Sequence, residues 1–239
     1  MGSTTLKKGG NVVYTARIKF KREADIRYIS HLDMQRMVQR ILRRAEVPMK
    51  YSEGFNPHPK LAFAMAMGVG LTSDCEYVDV ELMESIDPVL LVGSMNESAP
   101  KGFTALKAIV TEEKLPSLTS LIEESVYQVT CLLNASGEVE RLYDQLKSIL
   151  ESESIVYRKR NKKGKWSDKE IRPLIKELSA NTEGLKVNII ARLATGSKEN
   201  LRPEVVLDKI DPEKSLFDQE HGCVYHRLFL GKVNGEELI

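Results

Sequence analysis

The sequence predicts an α+β fold made of two ferredoxin-like βαββαβ halves in tandem, each with its own antiparallel sheet. Three observations predict it. Several short segments alternate apolar and polar residues with the period of a half-buried strand. Two longer segments carry apolar stripes at helical spacing. The order of these segments then runs through a second time, as expected of a duplicated split βαβ unit.

The elements follow in order. Tyr14, Ala16, Ile18 and Phe20 alternate with Thr15, Arg17, Lys19 and Lys21 as a first strand. Ser30 opens a helix with Asp33 as its capping-box partner, and Leu32, Val38, Ile41, Leu42 and Ala45 form its stripe before Pro48. Leu61, Phe63, Met65 and Met67 alternate with three alanines as a strand packed on both faces, and Val78, Val80 and Leu82 alternate with Asp79 and Glu81 as another. Asp87-Pro88 pairs a cap with a first-turn proline and introduces a short helix to Ser98, after which Phe103 to Val110 reads as a fourth strand. In the second half, Tyr127, Val129, Cys131 and Leu133 mark a strand. Val139, Leu142, Tyr143, Leu146, Ile149 and Leu150 mark a helix. Ile155 to Arg160 reads as the next strand, leading through a basic turn to the stretch Lys169–Leu178. Val187 to Leu193, a short helix opened by Asn200 and Pro203, and a strand from Val224 to Leu230 close the set. The expected division is a tail over 1–11 (disordered or added in expression), halves over 12–113 and 125–231 with a linker at 114–124, and a tail over 232–239. Each half, about 110 residues, is long enough to bury a core.

Composition narrows the class. Apolar residues are 42% and charged residues 29% of 239, which is globular rather than disordered. No apolar run approaches the ~20 residues of a membrane helix, so a cytoplasmic protein with no membrane partner is expected. The net charge of +1 requires any nucleic-acid surface to be local. Cys75, Cys131 and Cys223 lie too far apart in sequence for a zinc or iron–sulfur cluster and are expected as free thiols in a reducing cytosol. No metal or organic cofactor is expected.

The richest segment is Arg27 to Lys60. Arg36, Arg40, Arg43 and Arg44 fall at i, i+4, i+7 and i+8, along one edge of the first helix beside its apolar stripe. Their guanidinium forks match phosphate geometry, although a solvated helix face explains them as well. The loop that follows holds Tyr51, Gly54, Phe55, Asn56, His58 and Lys60, with prolines bracketing the histidine. Aromatics, an amide, an imidazole and a lysine suit an unpaired base read by stacking and hydrogen bonding. His31 stands at the start of the first helix, a candidate ligand contact. A His31/His58 acid–base pair is the catalytic alternative. The third candidate is the basic run Arg158, Lys159, Arg160, Lys162, Lys163 and Lys165 before Trp166, a phosphate-gripping hairpin tip or a soluble turn. Arg172 is a buried anchor or a further RNA contact. No Walker loop, dinucleotide fingerprint, zinc-protease helix or nucleophile elbow is present, so no catalytic residue is assigned.

The motifs Arg27-Tyr28-Ile29-Ser30-His31-Leu32-Asp33 and Tyr51-Ser52-Glu53-Gly54-Phe55-Asn56-Pro57-His58-Pro59-Lys60 resemble those of a bacterial family of radical SAM-linked proteins. Glu76 to Glu81 and Ile171 to Ile175 are similar to its later landmarks, and the likeness runs from about Val13 to Leu230. The resemblance implies a partner: a radical SAM enzyme with a cobalamin-binding-type domain, encoded near genes for ribosome and RNA processing. It implies no reaction for this chain, which lacks the cysteine triad of a radical SAM cluster. Pseudouridine synthases and repeat-associated RNA endonucleases use paired ferredoxin-like units too, but the Arg-Thr-Asp signature of the former is missing, so that analogy concerns fold alone. The expected function is a noncatalytic accessory protein that binds RNA (tRNA or rRNA) and works with that enzyme. A protein-interaction module stabilising the enzyme or a ribosomal component, and an RNA-cleaving or RNA-modifying enzyme, are the alternatives.

Overall fold

The computed structural model describes residues 13–160 and 164–239, the side chains of 159 and 160 excepted. Its elements are β1 (Tyr14–Arg22), α1 (His31–Arg44), β2 (Leu61–Phe63), β3 (Thr72–Leu82), α2 (Pro88–Ser98), β4 (Phe103–Thr111), α3 (Leu118–Leu121), β5 (Glu124–Leu132), α4 (Glu138–Glu151), β6 (Val156–Arg160), β7 (Trp166–Glu170), β8 (Ile175–Glu183), β9 (Lys186–Ala194), α5 (Pro203–Ile210) and β10 (Val224–Gly231). The chain is a mixed α+β protein with one large, mostly antiparallel sheet. Eight strands take part in the order β4-β1-β3-β10-β5-β9-β8, with β2 added on β3.

Two separate four-stranded sheets were expected, and one eight-stranded sheet is found beside the small β6–β7 pair. β3 has eleven residues and β2 only three, so β2 occupies the edge of β3 at Val78–Val80 and leaves the other end open. There β10 pairs in parallel, His226 opposite Thr72 and Arg227 opposite Ser73, and joins β3 to β5. Met65 and Met67, expected in β2, lie beyond it. Met67 is buried in the first core, and the Met65 thioether faces Arg227 at 3.6 Å.

The helix starts follow the local chemistry. Ser30 accepts the Asp33 amide at 3.2 Å and donates to its carboxylate at 2.7 Å. Asp87 accepts the amides of Val89 and Leu90 ahead of Pro88. Met34, Val38, Ile41 and Leu42 of α1 bury against Ala16, Ile18, Phe20, Val78 and Val80. In the second half, Leu142, Leu146 and Ile149 of α4 join Val129, Ile189 and Leu193. A third cluster on the opposite sheet face gathers Cys75, Tyr77, Leu118, Ile122 and Leu238. The linker therefore packs rather than dangles, and the 232–239 segment folds back with it.

Two further expectations change. Ile155–Arg160 does not enter the main sheet: β6 pairs only with β7, as a separate hairpin arm. The edge position belongs to β8, whose register shifts between Ile175 and Glu177, and such an irregularity blurs the period-two signal. Cys131 and Cys223, expected as free thiols, are disulfide-bonded, their Cα atoms 4.5 Å apart although 92 positions separate them. They face each other because the β5–β10 ladder sets Val224 opposite Thr130. Only Cys75 is a free thiol, and burial raises its pKa to about 12. Protein purified without reductant should accordingly yield one thiol on titration in denaturant and none in the folded state. A count of three in denaturant would show the pair reduced.

Candidate nucleic-acid interface

On α1 the side chains of Arg36, Arg40, Arg43 and Arg44 are exposed, while Met34, Val38, Ile41 and Leu42 are buried. At 3.6 residues per turn, Arg36, Arg40 and Arg43 point away from the core, rather than running along an edge beside the apolar stripe as expected. Arg36 bonds Asp33 at 3.1 Å. Among the described residues, Arg40, Arg43 and Arg44 have no carboxylate within ion-pair distance. Desolvating these three costs no existing pair, which suits them to phosphate.

The loop after α1 is a hydrogen-bonded hairpin. Tyr51 bridges Pro59, the Ser52 amide donates to the His58 carbonyl at 2.9 Å, and the His58 amide donates to Ser52 Oγ at 3.1 Å. Gly54 at φ +116° turns the tip, a conformation that side chains resist. Its stem is welded to β3: the Lys50 amide donates to the Glu81 carbonyl, and the Glu81 amide to the Lys60 carbonyl. At the tip Phe55 reaches 111% relative exposure, and Tyr51, Asn56 and His58 are exposed too. Lys60 is half-buried, its ammonium 3.2 Å from Glu81.

Below this hairpin, on the sheet face away from α1, lies a cleft of about 500 Å³. Thr15 and Glu81, cross-strand neighbours, and Asp79 form its floor. Ser52, His58 and Lys60 form one wall, and Lys114 and Leu115 the other. The second wall is set by Arg17, buried between the sheet and the linker. Its guanidinium donates to both Asp79 oxygens at 2.8 and 2.9 Å and to the Pro116 carbonyl at 2.7 Å. Nothing local in the sequence marks Thr15, Asp79, Glu81 and Lys114 as neighbours.

His31 and His58 do not converge. The His31 ring packs edge-on against Phe63, 5.5 Å between centroids, on the α1 side, whereas His58 lines the cleft on the other side. Burial lowers the His31 pKa, Glu76 opposing and Arg22 adding to the effect. Its Nε2 meets Gln35, and its Nδ1 is buried without a partner.

The second basic candidate sits on the hairpin arm. Arg158 stacks over exposed Trp166 at 5.3 Å and lies 3.7 Å from Asp168. Lys162 and Lys163 lie outside the described residues, as does the side chain of Arg160. Lys165 borders Trp166 at the start of β7. Arg172 is spent on structure: its guanidinium donates to the carbonyls of Leu150 and Ile175, tying the end of α4 to the start of β8. At the base of the arm, Ser154 and the amides of Ile155 and Arg172 hold the Glu170 pKa down to about 2.

The sequence comparison that decides kinship covers all these features except the far C-terminus. The profile of a family described as an uncharacterized protein conserved in bacteria (DUF2344) matches residues 15–203. The chain belongs to that family. The matched span of this DUF2344 chain holds the arginine face of α1, the Phe55 hairpin, the cleft and the β6–β7 arm. No curated protein matches it significantly. Among solved structures, a chain of a Cbf5-Nop10-Gar1 complex is similar at a TM-score of 0.50 and 8% identity, over 90% of this chain. The DUF2344 chain spans about half of that protein (48%), and a likeness at this identity concerns the fold alone. An unknown protein from Galdieria sulphuraria aligns over 92% of this chain and 98% of its own, at 13% identity and a TM-score of 0.25.

Proposed function

We propose that this protein is a noncatalytic accessory factor that binds RNA, tRNA or rRNA, in the cytoplasm and presents it to a radical SAM enzyme with a cobalamin-binding-type domain. The partner comes from the family resemblance, and the RNA from the surface described above. We read the fold as two ferredoxin-like halves. In chain order within each half, β4-β1-β3-β2 and β10-β5-β9-β8 both place the fourth strand beside the first, then the third and the second.

The observation that carries RNA binding is Phe55. A phenyl ring held wholly in water at the tip of a stiff hairpin forgoes roughly 1.5–3 kcal/mol of burial, which a bound partner recovers. Unpaired bases are natural partners, because every base has a π-face and stacking tolerates sequence. The guanidinium groups of Arg40 and Arg43 on the preceding helix supply phosphate contacts, and the hairpin supplies the contact to bases. The exposed apolar residues Tyr28, Leu32 and Val69 suit the protein partner. Arg22 holds the backbone beside Tyr28 and Val69, donating to the carbonyls of Ile26, Arg27, Ile29 and Gly68.

Phe55→Ala is expected to weaken binding of a labelled single-stranded RNA by about 1–3 kcal/mol, roughly 5- to 150-fold, with thermal stability unchanged. Fluorescence anisotropy of both proteins is the test. Equal affinities would remove the hairpin from the interface.

A further inference from the structure

The cleft under the hairpin is more selective than a stacking platform needs. Its two floor carboxylates are in different states. Asp79 has both oxygens engaged by Arg17, so it is a fixed structural element. Glu81 is not used up. Lys60 at 3.2 Å and Lys50 at 3.9 Å both approach the same oxygen, Oε2, and Oε1 keeps its acceptor capacity at a half-exposed carboxylate. A carboxylate accepts two adjacent N–H groups well. Guanine has that pair on its Watson–Crick edge, N1–H beside the N2 amino group. Adenine and cytosine each have one amino group there, and uracil one N–H. The volume of about 500 Å³ lies in the range that holds a small ligand. Ala62 and Leu115 give the lining apolar surface for a base, Lys60 holds Glu81, and Lys114 stands on the opposite wall for the phosphate.

We propose that this cleft is a guanine-selective nucleotide subsite, resting on the RNA-binding function proposed above: an unpaired guanine turns into it and donates N1–H and N2–H to Glu81, which Lys60 holds in place, while Lys114 meets the phosphate. A neighbouring base stacks on Phe55, since the hairpin that carries Phe55 also forms the wall. The selectivity sits with Glu81, and the phosphate contact with Lys114. Pairing of the Glu81 backbone with Lys50 and Lys60 does not involve its side chain, so substitution at this position leaves the stem in place.

Calorimetric titration of the full chain with GMP, AMP, CMP and UMP tests this directly, beside RNA binding followed against salt. GMP is expected to bind at least tenfold tighter than the other three. Glu81→Gln should erase that preference while leaving the salt dependence of RNA binding intact. Lys114→Ala should weaken all four nucleotides alike. Four equal affinities, or a GMP preference that survives Glu81→Gln in a variant with the parent's circular dichroism, would overturn the subsite, even if RNA still bound through α1. A GMP preference lost in Glu81→Gln would establish it, even if RNA failed to bind and the broader function fell.

Discussion

Replacing Arg227 with methionine is expected to destabilise the protein by about 3–5 kcal/mol, because it strips the partner from a buried carboxylate. Arg227 and Glu76 have side chains 3% and 1% exposed and meet at 2.5 Å where β10 joins β3. Arg227 Nε and Nη2 donate to the Tyr127 hydroxyl at 3.2 and 2.9 Å. Burial works against the Arg227 charge, but Glu76 and Tyr127 outweigh it and hold the guanidinium pKa above its ordinary value. Arg22 shares the same field: burial lowers its pKa, Glu76 opposes, and Arg227 adds to the lowering. Glu76→Leu should therefore cost at least as much as Arg227→Met, since it leaves two buried guanidinium groups without their common anion. For a chain of this size that is a melting shift of roughly 10 °C. The double variant Glu76→Leu/Arg227→Met should regain only part of the loss, because the Tyr127 hydroxyl is orphaned, at about 1–3 kcal/mol, and the buried Arg22 still lacks its anion. Thermal denaturation of the three variants decides it. Single variants within about 2 °C of the parent would show that the pair does not hold the junction.

Arg36→Glu/Arg40→Glu/Arg43→Glu should leave the fold intact and abolish most RNA binding. The three side chains are exposed, and among the described residues the only ion pair lost is Arg36–Asp33, worth at most about 0.5 kcal/mol at the surface. Removing three phosphate contacts should flatten the plot of log affinity against log salt by about 2 units for a single strand. Charge reversal adds repulsion, so a loss of about a hundredfold or more is expected at low salt. Anisotropy between about 50 and 200 mM salt measures both quantities. An unchanged slope would move the phosphate site to the β6–β7 arm, where Arg158 and Trp166 already stack.

What the sequence determined alone was local. Ser30 with Asp33 and Asp87 with Pro88 mark helix starts because caps act within one turn, and both pairs do so in the structure. The alternation in β1 and β9 is legible for the same reason, and so are Val38, Ile41 and Leu42 in the stripe of α1 and the exposure of Arg36, Arg40 and Phe55; Leu32, expected in that stripe at the first turn, is instead exposed. A subtler signal was also present. Arg22 follows Phe20 by two positions and Glu76 precedes Val78 by two, so both sit where their strands should be apolar, and both are buried.

The rest belonged to the tertiary structure. The parallel join of β10 to β3, the facing of Cys131 and Cys223, and the packing of the linker on Arg17 all bring together residues far apart in the chain. The same holds for the cleft, where β1, the hairpin, β3 and the linker each give one part. His31 and His58 show the converse: near in sequence, they end on opposite faces of the sheet, because β2 and the hairpin stem bind the β3 edge between them. Periodicity reports which face of an element is buried. It carries no information on which distant element lies against that face, since that depends on strand lengths and open edges summed over the whole sheet.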